Sequence, residues 1–139
     1  MVSKIAVGLD GSATAAKALD MAVEIARRFD AEVVLLSALS DASVPTDDHD
    51  VELDWATQPS ARVQHIVSTT QARLAKDGVR CSALSDEGDP GDVLVRLAEE
   101  CGADIIVVGN KGMQRRILGS VPNTVAHKAP CSVLVVKTT

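Results

Sequence analysis

Five short aliphatic runs, each parted from the next by a stretch of helical period or capping residues, constrain this chain more than any other feature. Ile5 to Leu9, Ala31 to Leu39, Val79 to Leu84, Ala103 to Val108 and Ser132 to Val136 read as strands. Behind Ser12, a good helix cap, Ala15, Ala16, Leu19, Ala22, Val23 and Ala26 recur at the spacings of one buried helix face. Ser60 opens a second helix, with Val63, Ile66, Val67, Thr70 and Leu74 inward and Gly78 at its end. Asp89-Pro90 pairs a capping carboxylate with a proline suited to the first helical position. Val93, Leu94, Leu97 and Ala98 then face inward, and Gly102 stops that helix. A short helix from Ser120 to Lys128 carries Pro122 in its first turn, with Pro130 beyond its end. Strands joined through helices need crossover connections, and crossovers make a parallel sheet.

The 139 residues suit one domain spanning 1–139. Apolar residues are 46% of the chain and almost wholly aliphatic; Phe29 and Trp55 are the large aromatics. Such a core suits a parallel sheet covered by helices on both faces. The rhythm breaks at residues 40–58, where Asp41, Asp47, Asp48, Asp50, Glu52 and Asp54 fall in a stretch without Lys or Arg. It reads as a long acidic loop rather than a second domain. The net charge of −5 and the lack of an aromatic platform argue against nucleic acid and membrane surfaces as partners. No run reaches the roughly 20 apolar residues of a membrane span, and Met1-Val2-Ser3-Lys4 leads directly into strand one without a secretory pattern. Cys81, Cys101 and Cys131 form no CxxC and no zinc pattern, so they read as small hydrophobes in a reducing cytoplasm. His49, His65 and His127 lack the i+3 or i+4 pairing of a metal site; His127 suits the end of the last helix.

Two glycine-bearing turns each follow a strand: Gly8-Leu9-Asp10-Gly11-Ser12 after strand one, and Gly109-Asn110-Lys111-Gly112 after strand four. In open α/β sheets ligands bind beyond the carboxyl ends of the strands, where the strand order reverses. If strands one and four are neighbours, in the order 3-2-1-4-5, both turns border one crevice. Glycines allow close backbone approach to an anion. Gly119-Ser120 opens a helix whose start offers free N–H groups and partial positive charge. Lys111, Arg115 and Arg116 add three cations to the loop between. Phosphate is the natural ligand for this set. Plain turns and a solvated loop would use the same residues, and pattern alone leaves both readings open. No P-loop and no Gly-x-Gly-x-x-Gly after strand one is present.

Val107-Val108-Gly109-Asn110-Lys111-Gly112, then Leu118-Gly119-Ser120-Val121-Pro122-Asn123-Thr124-Val125 and Ala129-Pro130-Cys131-Ser132-Val133-Leu134-Val135-Val136, resemble the C-terminal signature of universal stress proteins. Val7-Gly8-Leu9-Asp10-Gly11-Ser12 is similar to the family's first strand and loop, and Asp89-Pro90 with Ala103 to Gly109 to its middle. The resemblance covers the whole chain. It implies the adenine nucleotide alpha hydrolase-like fold and a regulatory stress protein that binds an adenine nucleotide, ATP first, with little or no hydrolysis. In the ATP-binding branch the motif runs Gly-x2-Gly-x9-Gly-Ser/Thr. Carried over by position, Gly109, Lys111, Gly112, Gly119, Ser120 and Val121 would serve the phosphate end. Asp10 would sit near the ribose, and backbone around Gly8, Ala38 and Val108 would flank the base. The family also implies a two-fold homodimer through the last strand, residues 131–138.

This chain departs from the motif at one place. Six residues, Met113 to Leu118, separate Gly112 from Gly119, where the family has nine. Either the loop closes more tightly over a triphosphate, or a smaller ligand such as AMP or cyclic AMP takes its place. The retained glycines and Ser120 favour retained binding; an interaction module with a vestigial crevice is the alternative. Asp10 alone is a poor Mg2+ site, so magnesium would arrive with the phosphates. A phosphorylatable receiver domain, which shares the alternating plan, needs an acidic pair after strand one, and Asp10 stands alone.

Overall fold

The computed structural model describes residues 1–10, 12–39, 59–110 and 118–137. The elements are β1 (Lys4–Gly8), α1 (Ala13–Phe29), β2 (Glu32–Leu39), α2 (Pro59–Lys76), β3 (Cys81–Glu87), α3 (Pro90–Cys101), β4 (Ile105–Asn110), α4 (Ser120–Lys128) and β5 (Ser132–Lys137). Every strand pair is parallel, as the alternation predicts, and the order is β3-β2-β1-β4-β5, with strands one and four neighbours as a shared crevice requires. The acidic stretch 40–58 lies outside the described residues.

Crossover handedness distributes the helices. The path β1 to β2 to β3 moves one way across the sheet, so right-handed crossovers put α1 and α2 on one face. The chain then passes to β4 and β5 on the other side of β1, which reverses the direction and puts α3 and α4 on the opposite face. Two core layers result. Ile5, Val7, Val33, Leu35 and Val107 pack under α1 and α2. Ala6, Val34, Leu36, Ile106 and Val108 pack under α3 and α4. Successive strand residues alternate between the layers, as a pleat demands.

The helix ends follow their caps. The Ala15 N–H donates to Ser12 Oγ at 3.0 Å, and the Asp92 N–H to Asp89 Oδ2 at 3.2 Å. Gly102 takes the left-handed conformation, φ 69°, that closes α3. Three expectations need correction. The run Ala103 to Val108 predicts a strand with Gly109 and Asn110 in the turn beyond it, and β4 instead spans Ile105–Asn110, with both residues paired to β5. Ala16 is exposed, and Ala18 is buried in its stead with Ala15, Leu19, Ala22 and Ala26. At 3.6 residues per turn Ala18 lies nearer the centre of that stripe, and among so many alanines composition cannot tell which face is inner. β3 spans Cys81–Glu87 rather than Val79 to Leu84. The Val79 N–H donates to Leu74 O as part of the α2 terminus, whereas Ser85, Asp86 and Glu87 still pair with Ser37, Ala38 and Leu39 of β2. Strand β5 forms one rim of the sheet and runs one residue longer than expected. It places Val136 opposite Gly109 and Lys137 opposite Asn110.

The three cysteines are free and half-buried, as expected for inert hydrophobes. Burial, with the Glu32 carboxylate adding to it, pushes the Cys81 thiol up to about 11, and burial also raises Cys101 and Cys131.

One carboxylate fastens the start of the chain. Asp104 Oδ2 accepts the Ser3 N–H at 2.8 Å and the Lys4 N–H at 2.9 Å. These two backbone donors, Ser3 first, hold its carboxyl below the ordinary range. A depressed folded pKa stabilises fully above the unfolded value, and that stabilisation is lost as pH falls through the folded value. Urea midpoints of the wild type are therefore expected to fall from neutral pH toward about pH 3, and Asp104→Asn to flatten that acid slope. An identical slope in the variant would rule Asp104 out as its source.

Candidate functional site

Strand β1 is shorter than its two neighbours, and this creates the site. Its pairing with β2 ends at Gly8↔Leu36 and with β4 at Val7↔Val107, whereas β2 runs on to Leu39 and β4 to Asn110. The neighbours therefore part above β1, at the point where the strand order reverses. A cavity of about 300 Å³ opens there. Its walls are the loop after β1, the first turn of α1, the upper parts of β2 and β4, Pro90 and Leu94 of α3, and the start of α4.

Eight of the residues expected from sequence line this cavity: Gly8, Asp10, Ala38, Val108, Gly109, Gly119, Ser120 and Val121. Lys111 and Gly112, with Arg115 and Arg116, lie outside the described residues. Gly8 and Asp10, after β1, and Gly109, near the end of β4, thus border one crevice.

The loop after β1 is held by bonds to β2 and by one within itself. The Leu9 N–H donates to Leu36 O at 2.8 Å, and the buried Ser37 hydroxyl donates to Leu9 O at 3.2 Å. The Ser12 N–H donates to Asp10 Oδ1 at 2.9 Å, a turn that the aspartate makes with its own backbone. With one oxygen so engaged, the exposed Asp10 offers little to a metal. Among the described residues no group of three or more His, Cys, Asp or Glu could hold one. No helix among them is long and apolar enough to cross a membrane.

The glycines divide by role. A Cβ on Gly109 would lie 2.6 Å from Thr14 O and 2.5 Å from Thr14 Cγ2, so the close seating of α1 on β4 requires glycine there. On Gly8 it would meet Leu94 Cδ1 at 3.0 Å, a tight contact with a movable side chain. On Gly119 it would meet no described residue nearer than Asn110, whose Oδ1 lies at 3.4 Å, and Gly119 has an ordinary φ of −65°. The fold does not require glycine at that position.

The start of α4 differs from those of α1 and α3. Gly119 caps it without a side-chain hydrogen bond, whereas the side chains of Ser12 and Asp89 cap those two helices. The first backbone bond within the helix is Asn123 N–H to Gly119 O at 3.0 Å. The N–H groups of Ser120 and Val121 have no acceptor among the described residues, and Pro122 has no N–H to offer. A helix start in this state presents donors and partial positive charge to the cavity. His127 and Lys128 occupy the last turn, where cations suit the opposite pole, and Lys128 reaches Asp92 of α3 at 3.4 Å.

Sequence reasoning missed several lining residues. Asn110 is 1% exposed, and its Oδ1 accepts the Gly119 N–H at 2.8 Å. Its signal was a polar residue closing an aliphatic strand. Thr14, Pro90 and Leu94 come from helices whose approach no local pattern reveals.

The parallel order 3-2-1-4-5 with its four helices, shared with universal stress proteins of known structure, is the adenine nucleotide alpha hydrolase-like fold. Residues 1–137 match the Universal stress protein family. The Bacillus subtilis universal stress protein YxiE is 30% identical over 149 residues, covering 99% of this chain and 100% of that protein. The Mycobacterium tuberculosis universal stress protein Rv1636 is 34% identical over 141 residues, covering 97% and 96%. A crystal structure of a universal stress protein in complex with cAMP superposes with a TM-score of 0.74 at 32% identity, covering 99% of this chain and 98% of that one. The chain belongs to the universal stress protein family.

Proposed function

We propose that this protein binds an adenine nucleotide in the crevice above β1 and acts in the stress response through its bound state, with ATP as the first candidate. The observation that carries this reading is the meeting of Gly8 and Asp10 after β1, Gly109 and Asn110 at the end of β4, and the start of α4 on one cavity. In a parallel ladder the N–H and C=O of alternate residues point to the same side. Leu36 O accepts from Leu9 beyond the end of β1, so Ala38, two residues on, directs its backbone toward the gap where no strand follows. With Val108 across the gap, it supplies backbone groups to a base edge. Asp10 serves the ribose. Gly109, Gly119, Ser120 and Val121, with Lys111 and Gly112, serve the phosphate end. Magnesium, when present, arrives with the phosphates.

A second reading, AMP or cyclic AMP, has its own support. The six residues between Gly112 and Gly119 leave less loop to enclose a triphosphate. A cavity of about 300 Å³ lies at the small end of the ligand-pocket range. A relative of known structure holds cAMP. Calorimetry with ATP, AMP, cyclic AMP and adenosine separates the readings. At least one nucleotide is expected to bind near micromolar, about 8 kcal/mol, and more tightly than adenosine. No heat at millimolar concentration for any of the four would leave only an interaction module.

We further propose pairing of two copies through β5. This rim strand is half-buried on both faces, with Val133 and Val135 toward one core layer and Leu134 and Val136 toward the other. An apolar rim strand tends to recruit a partner. Sedimentation at micromolar concentration is expected to give a dimer, and a monomer would refute it. The three free thiols fit a reducing cytoplasm.

A further inference from the structure

We infer that Asn110 is the positioning residue for the anion end of the cavity, holding the start of α4 so that its free N–H groups meet the ligand's phosphate. The inference rests on the functional reading above and adds a residue at a position that the glycine-serine motif leaves unspecified.

Asn110 is the last residue of β4, the strand that walls the crevice. A polar side chain that is 1% exposed needs partners to offset its loss of water. Its Oδ1 accepts the Gly119 N–H at 2.8 Å. That bond takes up the first peptide of α4 from the strand side. The two donors that follow, on Ser120 and Val121, are left for a ligand. Another polar tie of α4 among the described residues, Lys128 to Asp92, lies at the far end of the helix and binds it to α3. Asn110 therefore sets where the donor pair stands relative to β4. A donor pair aligned in advance binds an anion without first having to be ordered.

The test compares wild type, Asn110→Ala and Asn110→Asp in two measurements. The first is amide hydrogen exchange at Gly119 by NMR. The second is affinity for AMP against affinity for adenosine, which shares the base and ribose but lacks the phosphate. In Asn110→Ala the Gly119 amide is expected to exchange at least about tenfold faster, AMP to bind about 10–100-fold more weakly, and adenosine to change by less than about twofold. In Asn110→Asp the carboxylate still accepts the Gly119 N–H, so the amide stays protected. The added charge nevertheless weakens AMP while sparing adenosine. This variant also carries the test should the alanine variant fail to fold. Equal weakening of AMP and adenosine in both variants would mean a general structural role and overturn the inference, as would unchanged AMP affinity. A wild type that binds neither ligand overturns the functional reading itself. Gly119 exchange still decides the anchor in that case: faster exchange in Asn110→Ala upholds it, and unchanged exchange overturns it.

Discussion

Ser120→Asp is expected to weaken nucleotide binding about 100-fold or more while leaving the fold as stable as before, or slightly more so. Ser120 is exposed at the first helical position of α4 and lines the cavity. A carboxylate at a helix start interacts favourably with the dipole by about 0.3–1 kcal/mol. The same carboxylate would stand beside the bound phosphate. Two unit charges about 4 Å apart repel by about 1 kcal/mol in water and about 4 kcal/mol near a protein surface. Intermediate screening gives about 100-fold. Adenosine, which has no phosphate, should bind the variant almost as it binds the wild type. Calorimetry and a thermal melt on one preparation check both halves. A variant that kept wild-type nucleotide affinity would move the phosphate away from α4 and remove the main support for the functional reading.

Gly109→Ala is expected to destabilise the chain by about 1–3 kcal/mol, as inserted methyl groups do in closely packed interiors. The methyl would lie 2.6 Å from the Thr14 carbonyl oxygen. A threonine side chain can rotate away, but a carbonyl in the first turn of a capped helix cannot, so α1 must lift from β4. The Asp10 turn, which joins α1 through Ser12, would move with it. Gly119→Ala is the matched control. Its methyl meets only ordinary contacts, so its effect on stability should stay within about 0.5 kcal/mol. Urea midpoints of the two variants give the comparison. Equal effects would contradict the division of roles between these glycines.

That division also shows where sequence reasoning stops. The strand-helix alternation, the caps at Ser12 and Asp89 and the end of α3 at Gly102 were legible because each depends on residues within a few positions. The strand order was legible through a chemical argument, since one crevice had to serve both glycine-bearing turns. The reason for Gly109 was not, because Thr14 sits 95 residues away in sequence (109 − 14) and meets it only after α1 crosses the sheet. Asn110 was hidden for the same reason: an asparagine after a glycine suggests a turn, and its task depends on the Gly119 peptide. In β3 the aliphatic run ended at Leu84, but strand length follows the neighbour, and β2 offered partners through Leu39. Ala16 and Ala18 differ in burial though not in kind, because alanine carries too little surface to announce its face.

The register of the rim strand sets how near the outer edge of the sheet comes to the crevice. Val136 and Lys137 stand beside Gly109 and Asn110, so a chain seated on the outer side of β5 lies about two strand spacings, roughly 10 Å, from the end of β4.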